Sequence, residues 1–118
     1  MKHVRVRFKE DGDVRGDLIV DLPLDDQNVI AHDIPFAGWW GIPKGNNWIR
    51  PVVFKPNGEV EFGGDPEDPE EERISDMRIH GLPLKIGLQI VMIDREEGAL
   101  TTFILTTMHN LDDLGAIS

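Results

Sequence analysis

The feature that most restricts this chain is a two-residue alternation, in which Val4, Val6 and Phe8 interleave with Arg5, Arg7 and Lys9. Successive side chains of a strand point to opposite faces, so the pattern predicts a strand with one apolar and one charged face. Glu10-Asp11-Gly12-Asp13 follows as a turn, and residues 14–22 resume an extended pattern, which makes a hairpin. Gly16 within it marks a bulge or a close crossing. Lys55-Pro56-Asn57-Gly58 is a second turn signal, joining an expected strand at 48–54 to Glu59-Val60-Glu61-Phe62. Pro51 places the first of these at an edge or a bulge. Residues 84–93 and 100–108 form the last expected pair, linked by Asp94-Arg95-Glu96-Glu97-Gly98. Near their centres both are apolar on two faces, Ile90 to Ile93 in one and Phe103 to Leu105 in the other. That places them in the middle of a core.

Two segments read differently. Residues 36–47 form a glycine-punctuated loop that carries Trp39 and Trp40, with Trp48 just beyond it. Asp68-Pro69-Glu70-Glu71-Glu72 has the order of a helix start, an Asp cap followed by Pro and first-turn carboxylates. Residues 73–80 continue that helix to a Gly81 cap, although Met77 and Ile79 also fit a strand. Short helical turns are expected near 25–30 and 110–114. The expectation is a mainly β fold over residues 1–118 as a single domain: a small antiparallel barrel or strongly curved sheet of six to seven strands with one short helix. An α+β sheet with that helix on one face is the alternative.

Composition matters here for what it removes. The chain has 118 residues, no cysteine and no tyrosine, and its two serines, Ser75 and Ser118, sit in no nucleophile elbow. Thiolate metal sites and cysteine nucleophiles are excluded, and a reducing, cytoplasmic setting is expected. His3, His32, His80 and His109 show no ligand spacing, so no metal and no cofactor is expected. The N-terminus lacks the apolar core of a signal peptide, and Ile90-Val91-Met92-Ile93 is too short to span a bilayer. The basic stripe on the first strand is expected to pair with acids such as Asp17 and Asp21.

The charge is lopsided. Residues 1–59 hold nine acidic and eight basic side chains, whereas residues 60–118 hold thirteen acidic and four basic. Glu59, Glu61, Asp65, Glu67, Asp68, Glu70, Glu71 and Glu72 form a run with no base among them. Such a run repels extended nucleic acid and steers a cationic partner. The three tryptophans, Trp39, Trp40 and Trp48, fall within ten residues, and large rigid rings in a glycine frame suit a protein interface. These residues point to a non-enzymatic acidic protein that binds, and thereby inhibits, a basic protein such as a toxin or nuclease. In charge and size alone it resembles bacterial immunity proteins and antitoxins, and phage inhibitors of DNA-binding machinery. Two other readings stand beside it: a small β-barrel enzyme or ligand-binding domain with His32, Asp33, His80 and His109 in the barrel mouth, and a structural subunit of a homo-oligomer completed by the apolar 84–108 hairpin.

Overall fold

A computed structural model describes residues 2–11, 16–31, 33–41, 49–63 and 73–111. Its strands are β1 (Lys2–Glu10), β2 (Asp17–Leu24), β3 (Phe36–Gly41), β4 (Ile49–Phe54), β5 (Glu59–Phe62), β6 (Arg73–Asp76), β7 (Gln89–Asp94) and β8 (Leu100–Asn110). Each pairs antiparallel with its neighbour in sequence, and β8 returns to β1, so the sheet closes into an up-and-down barrel. Closure pairs every strand on both sides and leaves no edge strand, although the β6–β7 ladder is only two positions long. The mainly β barrel expected from the alternations is what forms. It has eight strands, more than expected, and the described residues contain no helix.

Both additional strands lie where the sequence suggested something else. The glycine-rich segment at 36–41 is β3, paired with β2 and β4. Its glycines have a packing role: Gly38 stands opposite Val20 and Val52, and a Cβ there would collide with the Ile19 carbonyl. The helix expected over 70–80 is instead β6 from residue 73, followed by irregular chain, with residues 70–72 outside the described set. Ser75, Met77 and Ile79 are buried at a two-residue spacing, a periodicity that no helix can bury on one side. The helical turn expected near 25–30 is instead a non-helical turn around Asp25, whose Oδ1 accepts from the N–H groups of Gln27 and Val29, and Ile30 bridges to Leu24. The turn at 55–58 forms as expected, with Gly58 at φ 94°.

Inside, Val6 faces Val20, Phe8 faces Leu18 and Val4 faces Leu22, and Val52, Phe54, Val60, Phe103 and Leu105 complete the packing. Outside, Arg5 holds Asp21 through two hydrogen bonds of 2.8 and 3.1 Å, and Arg7 reaches Asp17 at 3.3 Å. These are the cross-strand pairs expected for the basic stripe. On β1 the outward face is thus charged and the inward face apolar.

The last hairpin departs from the expectation of two-sided burial. Ile90, Met92, Phe103 and Leu105 point inward, but Val91, Ile93 and Leu100 are 46%, 43% and 69% exposed. A closed barrel has one interior, so alternate residues of an all-apolar strand must face out. On β8 the inward phase also shifts. Arg7 pairs with Thr107 and Phe8 with Leu105, and the intervening Thr106 donates from Oγ1 to the Arg7 carbonyl at 3.2 Å. This bulge returns Met108 to the core side.

One end of the barrel is plugged. Ile30 bridges to Leu24, and Met77, Ile79 and Leu84 fold under the strands. Leu84 N–H donates to the Asn28 carbonyl, Met77 N–H to Gly58, and the His80 ring stacks on Phe36 at 5.9 Å. At the opposite end, the mouth, β1, β3, β5 and β7 finish, and residues 12–15, 42–48 and 64–72, which continue the chain past β1, β3 and β5, lie outside the described set.

Candidate functional site

The mouth end holds a cavity of about 470 Å³. Its floor is made by Phe103 and Met92, both buried, together with the buried Ser75 of β6. Trp40 of β3 and Phe62 of β5 form one wall, edge to face with centroids 6.3 Å apart and planes at 85°. Trp40 is set by Gly16, because a Cβ there would lie 2.6 Å from the indole Nε1. The close crossing that Gly16 marks in the sequence is therefore the passage of this ring. Glu10, Asp94 and Glu97 bring three carboxylates to the same cavity, and no Lys, Arg or His lines it among the described residues.

The carboxylates differ in environment. Asp94 Oδ1 accepts from the N–H groups of Glu96 and Glu97, at 2.8 and 3.3 Å, and so holds the β7–β8 turn. Glu97 is exposed at the rim. Glu10 is half-buried, and its Oε2 is shielded from solvent with no hydrogen-bond partner among the described residues. Burial pushes its carboxyl above the ordinary value of 4.5, against the opposing effect of the Gly16 N–H. Among the described residues no donor reaches this oxygen, and a shielded acceptor left unpaired costs free energy.

Of the residues that the sequence singled out, Trp40 reaches this site. Trp39, its neighbour on β3, faces the outside and is 57% exposed. Glu59 and Glu61 are on the outer wall, where Lys55 Nζ lies 3.5 Å from Glu59 and 2.6 Å from Glu61, and Arg95 holds Glu59 at 3.1 Å. Trp48, Asp65, Glu67, Asp68, Glu70, Glu71 and Glu72 lie outside the described residues, as does His32. Asp33, His80 and His109, weighed as polar groups of a barrel mouth, sit at the plugged end. His80 there donates to the Ile34 carbonyl. No group of three or more His, Asp or Glu side chains placed to hold a metal occurs among the described residues.

Sequence reading passed over Glu10, Asp94, Phe62, Met92 and Phe103, yet a signal for two of them was present. Glu10 continues the inward phase of Val4, Val6 and Phe8, and Asp94 that of Ile90 and Met92. A carboxylate at the inward phase of an amphipathic strand marks a wet end of the barrel. No family model, curated protein or solved structure matches the chain. The fold defines it as a closed eight-stranded up-and-down barrel with a cavity at one end.

Proposed function

We propose that the protein is a non-enzymatic binding protein that takes hold of a basic partner through the cavity at the mouth of the barrel. The observation that carries this reading is the cavity itself, where an aromatic and thioether lining meets the carboxylates of Glu10 and Glu97 and, among the described residues, no Lys, Arg or His. Aromatic anchors in a concave, partly desolvated site supply affinity, and a surrounding excess of negative charge supplies encounter rate and partner choice. The acidic run from Glu59 to Glu72 belongs to the β5–β6 half of the chain, and β5 leaves the barrel at the mouth end. A basic toxin or nuclease is the partner class that this charge favours.

The test is surface plasmon resonance with immobilised barrel and a set of lysine- and arginine-rich peptides beside acidic peptides of equal length. Basic peptides should bind, and their association rate should fall steeply as ionic strength rises toward 0.15 M, where the screening length is about 8 Å. Replacing Trp40 by alanine should speed dissociation, at a cost of about 2 kcal/mol. Equal binding of acidic and basic peptides would end this reading.

A further inference from the structure

We propose that the mouth cavity is a site for a primary ammonium group carried on an apolar stem, with Glu10 Oε2 accepting its N–H and the stem lying against Trp40, Phe62 and Phe103. The inference rests on the binding function above and specifies the ligand's chemistry. The cavity, at about 470 Å³, is in the range that small ligands fill. Apart from the Ser75 hydroxyl its floor is apolar, so a fully hydrated polar ligand gains little there, whereas a ring or alkyl chain displaces water from Met92 and Phe103. The carboxylates of Glu10 and Glu97 in its lining disfavour an anionic ligand. A neutral apolar ligand would cover Glu10 and leave its oxygen still without a donor, which costs free energy. A quaternary ammonium carries charge and stacks on tryptophan, but it has no N–H to give. A primary ammonium satisfies each requirement: charge, three donors and an apolar stem. Its source is a free amine or the lysine side chain of the basic partner, which share this chemistry.

Isothermal titration separates the possibilities with 2-phenylethylamine, its neutral isostere 2-phenylethanol, its N-trimethylated form and 3-phenylpropionate. The amine should bind, with the alcohol and the quaternary form at least about tenfold weaker and the carboxylate not at all. Glu10→Gln should remove most of the preference for amine over alcohol while the thermal melt stays cooperative. Glu97→Gln, at an exposed position that cannot unfold the barrel, should weaken the amine by about two- to threefold. A lysine peptide and its acetylated form identify the source: loss of binding on acetylation assigns the partner's side chain, and binding of the free amine alone assigns a small molecule. Equal affinity for amine and alcohol, or no change on Glu10→Gln, overturns the ammonium assignment. If no amine binds while basic peptides still do, the ammonium site falls and the proposed function stands. If basic peptides also fail, both fall.

Discussion

Glu10 shows how one residue ties stability to binding. Its carboxyl sits at the inward phase of β1, where three apolar side chains precede it, and burial favours its neutral form. The folded protein therefore binds more protons than the unfolded chain between about pH 4.5 and the raised folded value. Stability falls as pH rises through that window, and the penalty is complete above it. Glu10→Gln removes the titration. The variant should melt higher than the parent at pH 7, and the gain should vanish below pH 4.5, as read by thermal unfolding at a series of pH values. A parent and variant that differ equally at pH 4 and pH 7 would show that Glu10 titrates normally. Two glycines matter at the same scale. Gly38→Ala forces β3 away from the Ile19 carbonyl in a tightly packed wall and should cost about 1–3 kcal/mol. Gly16→Ala meets a side chain instead, the Trp40 ring, and should change the mouth and its tryptophan fluorescence more than the melt.

At the scale of elements, β7 separates the inside of the barrel from the outside within four residues. Ile90 and Met92 are 7% and 6% exposed, while Val91 and Ile93 are near half-exposed. Ile90→Ala should therefore cost about 2–4 kcal/mol, and Phe103→Ala on the facing strand about 3–5 kcal/mol, whereas Ile93→Ala should cost less than about 1 kcal/mol. Denaturant unfolding of the three variants checks the order; a large loss for Ile93 would place it in a packed contact. The sequence was most legible where one face is charged: β1 with its arginines predicts its own burial and its partners Asp17 and Asp21. It was least legible on β7 and β8, because an all-apolar strand does not state which phase faces in. The missed strands have related causes. In β3 the glycines imitate a loop, although close strand packing is what requires Gly38. In β6 four residues are too few for a period to outweigh the helix-start signal just before them. The mouth was legible only in part, since Glu10 and Asp94 are far apart in the chain and meet because the barrel closes.

Closure of the whole molecule depends on its weakest seam. β1 and β2 share eight paired positions, but β6 and β7 share two, Ser75 with Asp94 and Asp76 with Ile93. Arg95, just past that short ladder, spans it. Its Nε and Nη2 donate to Asp76 at 2.9 and 2.8 Å, its Nη1 donates to Glu59 at 3.1 Å, and its backbone N–H reaches the Ile74 carbonyl at 3.2 Å. The fork ties β5, β6 and the β7–β8 turn together, and that turn carries Asp94 and Glu97 to the mouth. Pairing with Arg95 holds the Asp76 and Glu59 carboxyls below their ordinary values of 3.8 and 4.5 and holds the guanidinium in its charged form. Depressed acid values stabilise the fold above the ordinary range, and the contribution is lost as pH falls through the lower folded values. An isolated exposed pair contributes little, but a two-carboxylate fork across a two-residue ladder replaces missing backbone bonds. Arg95→Ala should therefore lower the melting temperature at pH 7, accelerate amide exchange first in β6 and β7, and weaken ligand at the mouth. Arg95→Lys should recover little of this, because an ammonium cannot reproduce the paired donors. The deficit should shrink as the pH drops below 3.8, when Asp76 and Glu59 lose their charge. Arg5→Ala breaks an equally short bidentate pair on the eight-position β1–β2 ladder and should leave the melt nearly unchanged. If Arg5→Ala and Arg95→Ala cost the same, both are ordinary surface pairs, and the narrow seam is held by the packing of Val60, Met92 and Phe103 beneath it.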